Sequence, residues 1–142
     1  MIRQAEMKDR IAMVRMARAF VETADAPLPF DAAYAERTAK EWISAPDKLA
    51  LVLDIDGVRG MLCGASLLSP LVPVKIAIEQ VFWIDPDFRG RAAVQFIRSY
   101  EAWASEQGCN MATLATIQSK GADCLYLRLG YDRAETHYVK VL

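Results

Sequence analysis

Arg89-Gly90-Arg91-Ala92-Ala93-Val94-Gln95 follows Ile84-Asp85-Pro86-Asp87-Phe88, and together these segments join an apolar run, Ile76 to Ile84, to a helical pattern lasting to about Gln107. A strand, a tight basic turn and a helix N-terminus in that order form a place where main-chain N–H groups can hold a phosphate. Gly90 to Gln95 supply the donors, and the helix dipole favours an anion there. Arg89 and Arg91 add charge, with Arg98 one or two turns on and Lys120 elsewhere in the chain. The competing reading is an ordinary strand–helix turn with solvated arginines. Spacing alone does not separate the two.

Glu79 lies seven residues before Pro86, on the strand entering this turn. Period-two alternation puts it on one face with Val81 and Trp83. A carboxylate among apolar neighbours has a raised pKa, which suits a general base near neutral pH, acting directly or through a water. A surface carboxylate is the alternative. Glu22, Asp54 and Asp56 are less well placed. His137, the one histidine, is a substrate-side base or a half-exposed packing residue. It cannot form a multi-histidine metal site. Cys63, Cys109 and Cys124 have no metal-ligand spacing, so no metal is expected, and they read as reduced thiols of a cytosolic protein. Formal net charge is -1, which gives nucleic-acid binding no global electrostatic support. The charged residues Arg3, Glu6, Lys8, Asp9 and Arg10 are unlike a secretory signal. No apolar run is long enough to span a bilayer.

The elements that must position these residues form a single domain over 1–142. Ile2 to Ala5 reads as a strand. Met7 to Thr23 reads as a helix with Ile11, Val14, Ala17 and Val21 on one face. Asp31 caps a second helix running to about Ser44. Leu49 to Ile55 and Gly60 to Leu68 form a hairpin around Asp56-Gly57. Extended structure resumes from Val74 to Ile84. The next helix carries Ala93, Ile97, Tyr100 and Ala104 on a stripe beside Phe96 and Trp103, and Gly108 stops it. A strand from Met111 to Ile117, a helix from Ser119 to Leu129 closed by Gly130, and one or two strands over Tyr131 to Leu142 complete the chain. The expected architecture is α/β, a mixed sheet covered by helices.

Three features in this order resemble the GNAT N-acyltransferase family: the Arg89-Gly90 turn, the segment Ala122-Asp123-Cys124-Leu125-Tyr126-Leu127-Arg128-Leu129-Gly130-Tyr131, and the opening Ile2-Arg3-Gln4-Ala5 with Asp9. The likeness spans nearly the whole chain. The ending His137-Tyr138-Val139-Lys140-Val141-Leu142 is similar to small phage-encoded members, which implies a host cytoplasm. The resemblance implies a mostly antiparallel mixed sheet and transfer of an acyl group from acetyl-CoA, or another acyl-CoA, to a primary amine. It implies that Phe82, Trp83 and Ile84 pair through their backbone with the pantetheine arm, splayed from the next strand. It also implies that the turn Arg89, Gly90, Arg91, Ala92, Ala93, Val94 and Gln95 holds the diphosphate. Tyr126 is the implied general acid at the departing sulfur, and Glu79 the base.

The chain departs from the family pattern R/Q-x-x-G-x-G/A. Ala92 and Val94 stand at the two small positions, and Ser119 replaces a cofactor-side asparagine. Alanine adds a methyl group and valine a stiff, bulky side chain where backbone must approach the diphosphate. Weakened CoA binding is the expectation. A non-catalytic scaffold of the same fold, in a phage assembly, therefore stays open beside the enzyme reading, with modification of nucleic acid a weaker third. Trp42 and Tyr34 line the acceptor site or simply cover the sheet. The amine acceptor is open, and an exposed edge strand makes a homodimer through the closing strands an expectation.

Overall fold

The computed structural model describes residues 1–24, 26–116 and 120–142, with the side chains of Lys120 and Gly121 outside the description. The elements run β1 (Ile2–Gln4), α1 (Arg10–Thr23), α2 (Ala32–Ser44), β2 (Lys48–Asp54), β3 (Val58–Leu68), β4 (Lys75–Ile84), α3 (Arg91–Glu106), β5 (Cys109–Thr113) and α4 (Lys120–Arg128). The five strands lie in sequence order in one sheet. β1 to β4 pair antiparallel, and β4 pairs parallel with β5. The mixed sheet flanked by helices is the α/β fold expected.

Two apolar layers hold the sheet. Leu49, Leu51, Leu53, Leu62, Ala77 and Ile84 face α3, whose Phe96, Tyr100 and Trp103 complete that layer. Ala50, Val52, Met61 and Cys63 face the other way, onto Met13 and Met16 of α1 and Ala39 of α2. The alternation along β2 and β3 is what a sheet covered on both faces requires. The α3 stripe matches its expected residues. The α1 stripe does so only in part: Ala17 packs against the layer, but Met13 and Met16 are its buried residues while Ile11 is exposed. A short 3-10 turn over Met7–Asp9 precedes α1 and resets its phase, and flexible Met side chains fill the layer where β-branched ones were expected.

Local chemistry explains the connections. Asp56 and Gly57 both take positive φ, 49° and 108°, as a two-residue hairpin turn demands. The Asp31 side chain accepts from the Tyr34 N–H and caps α2. The Arg3 guanidinium grips both oxygens of Asp9, at 2.8 and 3.0 Å, and also reaches Asp54 at 2.8 Å, which ties β1 to the start of α1 and the end of β2.

The expected closing strands over Tyr131–Leu142 are absent. Residues 132–142 are all exposed and make no backbone–backbone hydrogen bond among the described residues. An extended segment becomes a strand only through a partner ladder, and this one has none among the described residues. β5 begins earlier and ends earlier than the expected Met111–Ile117, and Ile117 and Ser119 lie outside the described residues.

Candidate functional site

β4 and β5 stay paired only from Lys75 to Ile78 on one side and Cys109 to Thr113 on the other. Beyond Ile78, β4 continues for Glu79–Ile84 with β3 on one edge and, among the described residues, no strand on the other. The wedge between the parting strands is a cavity of about 710 Å³. Its walls come from β4, the start of α3, α4 and the end of α1 (Phe20, Thr23 and Ala24).

The parting coincides with a β-bulge. Cys63 pairs with Val81 but Gly64 pairs with Glu79, so Gln80 is the extra residue on β4. A Cβ on Gly64 would lie 2.6 Å from the Ile78 carbonyl oxygen, so only glycine admits this close approach. The bulge corrects the expected alternation. Ala77 belongs to the α3-side layer, and Glu79, two residues on, shares its face. Val81 and Trp83 pack in the opposite layer. Glu79 therefore shares its sheet face with Phe82 and Ile84, not with Val81 and Trp83.

Glu79 is 8% exposed and accepts a 3.0 Å hydrogen bond from the Ala115 N–H. Burial pushes its pKa up to about 7, and the single N–H only partly counters that. The Tyr126 hydroxyl donates to the Ala115 carbonyl oxygen at 3.1 Å. One residue thus holds the expected base by its N–H and the expected acid by its C=O. Burial and the Glu79 charge raise the Tyr126 pKa above the ordinary phenol value. Tyr126 is set by the end of α4: the Tyr131 N–H donates to the Tyr126 backbone carbonyl at 3.0 Å, the Gly130 N–H donates to the Leu127 carbonyl at 3.2 Å, and Gly130 has φ 90°. This is a Schellman closure, with the Tyr126 and Tyr131 rings in contact at 6.2 Å. It is the physical reason for a tyrosine, a glycine and an aromatic at that spacing.

At the other end of the cavity, α3 opens without a side-chain cap. The N–H groups of Gly90, Arg91 and Ala92 have no acceptor among the described residues. Gly90 holds φ 110° and ψ -116°, a conformation that favours glycine. Arg89 is fixed, its Nε donating to the Ile84 carbonyl at 2.9 Å and its guanidinium 5.1 Å from the Trp83 ring centre. Arg89, Gly90, Arg91, Ala93 and Val94 line the cavity with Phe82, Trp83 and Ile84. Ala92 does not: its methyl packs against the α3-side core. Gln95 is exposed and off the cavity wall, and Ser119 is outside the described residues.

Other candidates fall elsewhere. Tyr34 and Trp42 line a separate apolar cavity of about 350 Å³ between α1 and α2. Trp42 touches the main site only through its indole N–H, which donates to Gln80 Oε1 at 2.7 Å. Asp54 is engaged by Arg3. His137 is exposed beside Glu135, and Cys124 is exposed. Among the described residues no group of three or more His, Cys, Asp and Glu could hold a metal ion, and no helix is long and apolar enough to cross a membrane. Sequence reasoning missed Gln80, Ala115 and Arg128 on the cavity wall. Only Arg128 carried a signal, as a cation at the end of the helix that presents Tyr126.

The sequence matches the Acetyltransferase (GNAT) family over residues 14–131. The chain belongs to this family. No curated protein matches it in sequence. In fold this GNAT domain is similar to a transcriptional regulator from Bacillus halodurans C-125, with TM-score 0.82 and 21% identity over 100% of this chain and 99% of that one. It is also similar to a predicted acetyltransferase from Clostridium acetobutylicum solved with acetyl-CoA, with TM-score 0.82 and 14% identity over 100% and 95% of the two chains. A ribosomal-protein-alanine N-acetyltransferase from Brucella melitensis biovar Abortus 2308 matches at TM-score 0.73 and 17% identity, covering 100% and 99%. The GNAT fold places the parted strands and the uncapped α3 turn in one continuous cleft.

Proposed function

We propose that this domain transfers the acetyl group of acetyl-CoA to a primary amine, with both substrates bound together and the amine attacking directly. The observation that carries the reading is that Glu79 and Tyr126 are held by the N–H and the C=O of one residue, Ala115, inside the wedge left by β4 and β5. The residues present fit acetyl-CoA. The unshared edge of Glu79–Ile84 suits an amide-bearing arm, and the open donors of Gly90, Arg91 and Ala92 suit a diphosphate. Arg89, Arg91 and Arg128 supply countercharge. When bound, acetyl-CoA supplies an activated thioester carbonyl.

The protein's own part is proton handling and orientation. Glu79, with its pKa near 7, is about half ionised at neutral pH and accepts a proton from the attacking amine. An α-amino group, with a reference pKa of about 7.7–8.0, is far better matched to Glu79 than a lysine ε-amine at about 10.4. Weakly basic amines are therefore the favoured acceptors. Tyr126, whose pKa is raised further by burial, is a poor source of a free proton and a good hydrogen-bond donor to a departing thiolate. Three unpaired thiols fit a reducing cytoplasm.

A second reading rests on Val94, whose isopropyl group lines the cavity beside the open donors. It makes the domain a scaffold with a narrowed cofactor cleft. Calorimetric titration with acetyl-CoA separates the two. Binding that saturates, followed by CoA release in the presence of an amine panel, supports the enzyme. No heat and no thermal shift at millimolar ligand would leave only the scaffold.

A further inference from the structure

We propose that Gln80, held by Trp42, is a specificity residue that selects amines carrying a neutral carbonyl on the adjoining carbon, as in an α-amino amide. The inference rests on the amine-transfer reading above and names its acceptor class. Gln80 is the extra residue of the β4 bulge, and it lines the cleft with Glu79. Trp42 reaches it from α2 with a 2.7 Å bond from the indole N–H to Oε1.

That bond sets which way the amide faces. An indole N–H only donates, so it must meet the amide oxygen. Turning the amide over would set N–H against N–H and break the bond. Trp42 is itself half-buried and packs against the α1–α2 layer with Val81 and Trp83, so the anchor belongs to a packed layer. The Nε2 amino group has no acceptor among the described residues. With its oxygen engaged, Gln80 offers the cleft two N–H donors.

Glu79 and Gln80 are consecutive, with α-carbons about 3.8 Å apart. One accepts a proton and the other donates a hydrogen bond. Glu79 lies on the α3 side of the sheet and Gln80 reaches α2, so a molecule entering at the unshared edge of β4 is the one that meets both. Such a molecule needs an N–H donor and an acceptor oxygen close together. An amine with a carbonyl on the next carbon has both: the amine turns its proton to Glu79, and the carbonyl oxygen accepts from Gln80 Nε2. A free amino acid would bring a second carboxylate against Glu79, a like-charge contact that a neutral amide avoids. The carbonyl also withdraws electrons from its amine and gives the weak basicity that suits Glu79.

The test uses the full chain and compares glycinamide with difluoroethylamine, a weakly basic amine without a carbonyl. With acetyl-CoA, kcat/KM should favour glycinamide about tenfold, the worth of one neutral hydrogen bond. Gln80→Leu should abolish that preference. Trp42→Phe, which keeps Gln80 but frees its amide to turn, should weaken it. A preference unchanged in Gln80→Leu, or absent from the wild type, would overturn the proposal. A binding measurement separates this outcome from failure of acetyl transfer itself. In ¹⁵N-labelled protein with CoA present, the Gln80 side-chain amide peaks, assigned by their loss in Gln80→Leu, should shift with glycinamide and stay in place with difluoroethylamine. Peaks that shift this way without any acetyl transfer would end the enzyme reading and keep Gln80 as the carbonyl contact. Peaks that stay in place with both amines, or shift equally with both, would overturn the contact even where amines are acetylated.

Discussion

Two buried carboxylates in this protein have opposite fates. Asp9 is 4% exposed and Glu79 is 8% exposed, so burial alone would disfavour the charge of both. Asp9 receives both forks of the Arg3 guanidinium and the Glu6 N–H at 2.7 Å, and its pKa falls below the ordinary value. Among the described residues Glu79 receives one N–H and no cation, and its pKa rises to about 7. In the first region β1 pairs with β2 over its three residues, and Arg3 meets both Asp9 and Asp54. The second is open, with a strand edge, a helix start and a carboxylate all short of partners. The contrast sets a carboxylate whose charge is paired with an arginine against one whose charge burial disfavours, and the proposal that Glu79 moves a proton rests on that difference.

The sharpest way to break this contrast is Glu79→Gln. If Glu79 is the base, kcat should drop about 10²–10⁴-fold. The wild-type rate should rise with pH through about 7, since only the ionised carboxylate accepts a proton, and the variant should lose that limb. Stability should move the other way. A carboxylate whose pKa is higher folded than unfolded stabilises most below its unfolded value near 4.5, and that stability is lost as pH rises through 7. The loss is on the order of 3–4 kcal/mol for the full shift. Glu79→Gln should therefore be as stable as the wild type, or more so, at pH 8. A variant that keeps full activity would make Glu79 a structural acid like Asp9.

Asp9→Asn is the counterpart. Its lowered pKa means its contribution is present above about pH 4 and is lost as pH falls. At pH 7 the substitution should cost about 1–3 kcal/mol in urea unfolding, because Arg3 is left with a weakened partner. Acetyl-CoA affinity should not change. Tyr126→Phe should come next in size, lowering kcat about 10–10²-fold with little change in the KM for acetyl-CoA, because the variant loses the donor to developing charge, along with the hydrogen bond to the Ala115 carbonyl oxygen. An equal rise in KM would assign Tyr126 to binding instead.

How much of this was legible beforehand depends on whether a feature is local. The α3 stripe, the Asp31 cap, the Asp56-Gly57 turn and the Gly130 closure each follow from residues within a few positions of one another, and each appears as read. The face of Glu79 was misread because the bulge at Gln80 is dictated by Gly64 on the neighbouring strand. No periodicity within β4 can show it. The contact between Glu79 and Ala115 spans 36 residues and uses a backbone N–H, which any side chain would have supplied. Residues 131–142 looked like strands because their composition is that of strands, but composition does not supply a partner edge.

The smallest effect sharpens the contrast inside the open region itself. Ala92 and Val94 both depart from the family's small residues, yet only Val94 reaches the cavity, while Ala92 packs toward the core. The two positions should therefore respond differently. Val94→Ala removes two methyl groups beside the donors of Gly90, Arg91 and Ala92 and keeps good helix propensity. It should tighten CoA binding a few-fold in calorimetry, since backbone donors bind a diphosphate better with less bulk in the way. Ala92→Gly should leave affinity unchanged and cost about 1 kcal/mol of stability, through helix propensity and a lost core methyl. If Ala92→Gly instead tightened binding and Val94→Ala did not, the diphosphate would have to lie on the opposite side of the α3 turn from the cavity that Phe82, Trp83 and Ile84 line.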